Sequence, residues 1–154
     1  MQKIIKTKSG IYILEVCARE AFRLDIKKYR DEILPQGYYY YVGSAQKNFY
    51  HRVKRHLHDT KTIHWHIDHL LVVPTNNIKT IYVLRNKPKE FECKMVSDLE
   101  NKNGLTFPVK GFGNSDCRRC NSHLLYSRKK LSHNQFISLY QSIVRWIPSS
   151  NGIS

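Results

Sequence analysis

Gly10-Ile11-Tyr12-Ile13-Leu14-Glu15-Val16-Cys17 is the stretch that decides the fold. It is β-branched, aromatic and turn-bounded, so it predicts a strand. A second such run, Tyr38 to Val42, follows the turn signal Pro35-Gln36-Gly37, with Gly43-Ser44-Ala45 expected to break it. Ala21 to Ile26 is a further candidate strand. Working outward, Phe49, Val53 and Leu57 recur at a helical period, predicting a helix over residues 46–58. A second helix is expected over 64–71, and Ile78 to Leu84 alternates as a strand. A helix opens after Pro88 and runs to about Asn101, on an apolar stripe of Met95, Val96 and Leu99. Residues 111–120 read as a loop, and Leu124 to Tyr126 as a short strand. Ser132 with Gln135 is a capping-box pattern that predicts a last helix over 132–146. Residues 148–154 read as a flexible tail. Together these elements predict one α+β domain over residues 1–147, with a small, mostly antiparallel central sheet flanked by helices.

Composition narrows the function. The 154 residues include 26 Lys plus Arg against 12 Asp plus Glu, a formal charge of +14. Self-repulsion of that size is offset by a polyanionic partner, and nucleic acid is the obvious one. The excess is not a basic tail on a neutral domain. Residues 33–89 carry 9 bases and 2 acids and residues 101–154 carry 8 and 1, while residues 90–100 form an acidic island of 1 and 4. No apolar run approaches the ~18–20 residues of a membrane span, and Lys6-Thr7-Lys8 interrupts any leader. The expectation is a cytoplasmic protein without a membrane partner, its four cysteines being thiols or metal ligands.

Three sets of residues carry candidate chemistry. Arg52 and His56 are i, i+4 neighbours, displaced about 100° from the apolar stripe of their helix, where a guanidinium can fork onto phosphate and an imidazole can shuttle a proton. Glu92 lies in register with Met95, Val96 and Leu99, and a carboxylate on an apolar stripe needs a partner or a cation. Tyr12 and Tyr41 are strand tyrosines. Packing is one use for them; the other is a phenol whose pKa is lowered beside a cation, able to deprotonate an attacking water.

Gly10-Ile11-Tyr12, then Tyr41-Val42-Gly43, then Arg52-Val53-Lys54-Arg55-His56 stand in order in this chain. Together they resemble the GIY-YIG nuclease superfamily, its conserved core mapping onto residues 9–100 with an insertion around residues 18–36. Tyr41 to Ala45, Trp65 to Asp68, Glu92-Cys93, Phe112 to Cys117 and His123-Leu124 extend the likeness to about Tyr126. They are similar to a small prokaryotic branch sometimes fused to DNA glycosylase domains. The resemblance implies a metal-dependent endonuclease acting on DNA in repair or processing, with RNA and a repair-protein partner also open. It implies Tyr12 as general base, Tyr41 as its support, Arg52 against phosphate charge, His56 as proton relay, and Glu92 holding one Mg²⁺ or Mn²⁺. Arg55, Lys54, Ser44, Arg118 and Arg119 would contact nucleic acid. Loss of catalysis, leaving a binding module of the same fold, is the alternative.

The remaining signals are a histidine-rich stretch and a cysteine cluster. Six of the eight histidines lie between His51 and His69. Among them His66, with Asp68, is expected to shape the site by hydrogen bonding or to touch DNA backbone. Cys117-x-x-Cys120-x-x-His123, next to Asp116, is open to Zn²⁺ with Cys93 or Cys17 as a fourth ligand. Buried thiols with a hydrogen-bonded histidine are the reading placed ahead of zinc, and a loop beside the active site is a third.

Overall fold

The computed structural model describes residues 2–59, 62–113 and 119–148. Asp116, Cys117, Arg118 and the tail from residue 149 onward lie outside the described residues. The described residues form, besides a short 3-10 turn at Lys27–Tyr29, the elements α1 (Gln2–Ile5), β1 (Gly10–Ala18), β2 (Gly37–Ala45), α2 (Phe49–Arg55), α3 (His66–Leu71), β3 (Asn76–Arg85), α4 (Phe91–Asn103), β4 (Leu124–Ser127), α5 (His133–Leu139) and β5 (Val144–Trp146). The strands form a five-stranded antiparallel sheet in the order β4-β2-β1-β3-β5. This is the expected α+β architecture. Among the described residues, no helix is long and apolar enough to cross a membrane.

β1 is the central strand, and its sequence explains why. Both of its edges are paired and both of its faces covered, so nearly every residue is buried. Alternation splits the core into two layers. Tyr12, Leu14 and Val16 join Tyr39, Tyr41, Ile81 and Val83 on one face, beneath Phe49 and Val53 of α2 and Ile67 and Leu70 of α3. Ile11 and Ile13 join Tyr40, Val42 and Tyr82 on the other, beneath Met95, Val96 and Leu99 of α4 and Phe136 of α5.

Glu15 breaks the apolar pattern of β1 and is fully buried. Its partner stands directly opposite in the register: Tyr40 donates its hydroxyl to Oε2 at 2.8 Å and itself accepts the backbone N–H of Leu131. Lys130 reaches Oε1 at 3.7 Å. A buried carboxylate is tolerable only with such partners.

Several expected boundaries move. Residues 21–26 form no strand; Phe22 makes an isolated bridge to Leu34. β2 does not break at Gly43 but runs through Ala45, because Gly43, Ser44 and Ala45 stay paired with Tyr12, Ile11 and Gly10. The helix expected over 46–58 is shorter, starting after Asn48, whose φ of 51° is left-handed. α4 runs two residues past Asn101 and stops at Gly104, also left-handed. The largest correction is the last helix. The Ser132/Gln135 capping box is real, but α5 ends at Leu139 and residues 144–146 turn into a strand beside β3. Val144 and Trp146 suit a pleated surface, and Trp146 stacks on Tyr50 at 6.1 Å.

Short α5 is pinned by one ring. Phe136 is fully buried, stacked on Tyr82 with centroids 3.7 Å apart and 5.9 Å from Tyr40. Phe136→Ala is expected to lower stability by about 3–5 kcal/mol, measured as a fall in urea midpoint at unchanged slope.

Candidate active site

Tyr12 and Gly43 stand opposite each other on β1 and β2. The Tyr12 ring lies flat on the glycine: a Cβ at position 43 would sit 2.6 Å from Tyr12 Cζ. Any larger residue would push the ring away. Phe49 closes the ring from the side, edge-on at 6.0 Å. So fixed, Tyr12 Oη lies 2.9 Å from Nε2 of His56, itself only 2% exposed at the end of α2. Tyr41 is tilted against Tyr12 at 6.5 Å.

Burial pushes the Tyr12 phenol well above its ordinary value of 10; the neighbouring Tyr41, Glu92 and Asp68 push the same way, and Arg52 opposes them. Tyr41 is raised for the same leading reason. The expectation of a phenol with a lowered pKa is therefore overturned. The cation is present, but desolvation outweighs it.

Arg52 and Glu92 approach from opposite faces of the sheet and meet at Ser44. Arg52, exposed on α2, donates from Nη1 to the Ser44 carbonyl at 3.3 Å. Ser44 Oγ donates to Oε2 of Glu92, in the first turn of α4. The other carboxylate oxygen, Oε1, lies 3.2 Å from His123 Nδ1, and Glu92 is 8% exposed. Burial, reinforced by Lys89, pushes His123 down to about 4, so its ring is neutral at pH 7. Ser44, expected among the nucleic-acid contacts, is instead the joint between the guanidinium and the carboxylate.

Asp68 organises the flank. It is fully buried in α3 and takes a two-pronged contact from Arg55, Nη1 to Oδ1 at 3.0 Å and Nη2 to Oδ2 at 3.1 Å. Oδ2 also accepts the backbone N–H groups of His64 and Trp65. Trp65, 40% exposed, lies beneath both guanidiniums, with Arg55 at 4.7 Å and Arg52 at 5.3 Å from its ring. Arg55 thus faces a carboxylate. His66 accepts the Gly113 N–H on Nδ1 at 2.9 Å, tying α3 to the loop over Tyr41. Lys54 lies over the Tyr50 ring at 5.8 Å, and Arg119 is exposed.

Tyr12, Tyr41, Arg52, His56, Ser44 and Glu92 are therefore brought to one region, with Asp68 and His66 bracing it. Cys120 and His123 gather instead with Cys93, the three offering ligand atoms within 4.8 Å of one another, a group that could hold a metal ion. Trp65 is a contributor for which the sequence reading named no role of its own. Its signal was its place between the basic helix and Asp68.

Burial raises the Asp68 pKa, but the Arg55 hydrogen bonds and the two backbone N–H groups outweigh it and hold the carboxyl below 3.8. Its stabilisation is fully present above that value and is lost as pH falls through the lower folded-state value. Asp68→Ala is expected to cost about 3–5 kcal/mol at pH 7, because Arg55 loses its buried partner. The difference from the parent protein should shrink in denaturant melts as the pH is lowered below the folded-state value.

No curated protein and no solved structure matches the chain. One family matches residues 11–145, from the strand bearing Tyr12 to the last strand of the sheet. The chain belongs to the family described as Domain of unknown function DUF123.

Proposed function

We propose that the chain is a metal-dependent endonuclease of GIY-YIG type that hydrolyses phosphodiester bonds in DNA during repair or processing. The observation that carries this is the Tyr12–His56 hydrogen bond, 2.9 Å long and buried, set beside Arg52 and the carboxylate of Glu92. The order of motifs from Gly10 to His56 supports the same reading.

The raised pKa of Tyr12 selects the form of the mechanism. The phenol is protonated at neutral pH, so it acts as a relay rather than as a standing phenolate. With the His56 proton on Nδ1, Nε2 accepts from Tyr12. The attacking water gives a proton to Tyr12 Oη as Tyr12 gives its own to His56. The water oxygen forms the new bond to phosphorus, the bond to the leaving oxygen breaks, and that oxygen takes a proton from solvent. Arg52 donates to the phosphate oxygens as their charge grows. Tyr41 packs beside Tyr12 and limits its movement.

Glu92 offers hard carboxylate oxygens, positioned by the Ser44 and His123 contacts. Such oxygens suit Mg²⁺ or Mn²⁺ completed by water, whereas thiols do not. An ion held by Glu92 would supply Lewis-acid polarisation of the phosphate.

The +14 charge supplies affinity, and Arg52, Lys54 and Arg119 are placed to contribute to it. Arg55 stays with Asp68. A repair-protein partner would direct the enzyme to its site. The second reading is a non-catalytic nucleic-acid-binding module. What favours it is that both Glu92 oxygens are already engaged.

Nicked, branched and single-stranded DNA, assayed with Mg²⁺ and with Mn²⁺, should be cut by the parent protein. Tyr12→Phe is expected to slow cutting by about 10²–10⁴-fold and Arg52→Ala by about 10²–10³-fold. Glu92→Gln should abolish metal-dependent cutting while salt-sensitive DNA binding persists. Binding without cleavage of any substrate by the parent protein would contradict the hydrolytic reading and leave the binding module.

A further inference from the structure

We propose that Cys93, Cys120 and His123 form a zinc site that clasps the first turn of α4 to the segment entering β4. It goes beyond the hydrolytic reading, since its donors differ from those offered to Mg²⁺ or Mn²⁺.

The three residues come from two separate parts of the chain. Cys93 follows Glu92 in the first turn of α4. Cys120 and His123 precede β4, and the backbone of His123 is fixed on both sides: its N–H donates to Phe112 at 2.8 Å and its carbonyl accepts from Val42 at 2.9 Å. Their ligand atoms lie within 4.8 Å of one another, with the two sulfurs 3.1 Å apart. Ligands sharing one tetrahedral zinc at about 2.0–2.3 Å lie roughly 3.3–3.8 Å from one another. The three donors are thus already gathered, and the two sulfurs would part by about 0.6 Å to share the ion.

His123 supplies the second observation. Its side chain is 3% exposed. Nδ1 faces Glu92 at 3.2 Å, while Nε2 has no hydrogen-bond partner among the described residues. A buried ring nitrogen without a partner is unfavourable. A metal-bound histidine typically presents its other nitrogen to a carboxylate, which sets the tautomer and the ring orientation. Glu92 occupies that place. Two sulfurs and one imidazole are a soft donor set that selects Zn²⁺ over Mg²⁺. With zinc bound, His123 becomes a fixed post against which Glu92 is positioned.

The test is metal content and cobalt spectroscopy on the reduced, full-length protein. Stoichiometric zinc should co-purify or be taken up from added Zn²⁺. Co²⁺ should give thiolate-to-metal charge-transfer bands, and Cys93→Ser and Cys120→Ser should each lose zinc. Asp25→Asn, at an exposed residue outside the cluster, should keep it. A parent protein that holds no zinc after exposure to excess Zn²⁺ overturns the proposal. So does a cobalt complex without thiolate bands, which is read on the parent protein even if the cysteine variants fail to fold. Neither readout depends on cleavage, so a protein that binds zinc without cutting DNA leaves this site standing, and one that cuts DNA without zinc removes only this site.

Discussion

The flat seat of Tyr12 on Gly43 is the constraint on which the site depends. A ring that must lie on a backbone needs a glycine across the strand pair, and the β1–β2 register supplies it. From that seat the phenol has one outlet, towards His56 at the end of a helix only seven residues long. α2 is held by two side chains, Phe49 and Val53, buried on the same sheet face as Tyr12. The distance between phenol and imidazole is thus fixed by sheet register and helix packing together. Burial that makes the pair rigid also keeps the phenol protonated, which is why the proposed mechanism uses it as a relay and not as a standing base.

Three acids are buried among the described residues, and each is held differently. Glu15 joins the central strand to the segment before α5 through Tyr40 and Lys130. Asp68 pairs with Arg55 and fixes the turn into α3. Glu92 accepts from the Ser44 hydroxyl and lies beside the His123 ring. Ser44 lets this carboxylate, on the α4 face of the sheet, act beside Arg52 from the α2 face.

Much of this was legible in the sequence where periodicity was strong. β1, β2, β3 and α4 follow from runs whose apolar spacing has only one good reading, and Glu92 on the stripe of α4 announced a buried carboxylate. Arg52 and His56 were legible as a pair because i, i+4 spacing fixes their neighbourhood. Their partners were not, because contacts between residues such as Ser44 and Glu92, 48 positions apart, leave no trace in local pattern. Arg55 looked like a phosphate ligand until Asp68 was placed beside it. Trp146 looked helical because the capping box marks where a helix starts and not how far it goes. The pKa of Tyr12 was misjudged for a related reason: the sequence displays the cation, but burial, which dominates, belongs to the tertiary structure.

Titration of tyrosine labelled with ¹³C at Cζ, followed by NMR on the parent protein and on Tyr12→Phe to assign the resonance, tests the relay most directly. The Tyr12 signal should remain that of a phenol throughout the neutral range and past its ordinary value of 10. A Tyr12 resonance that ionises near neutral pH would contradict the account, because the phenol would then be a standing base with no need of His56.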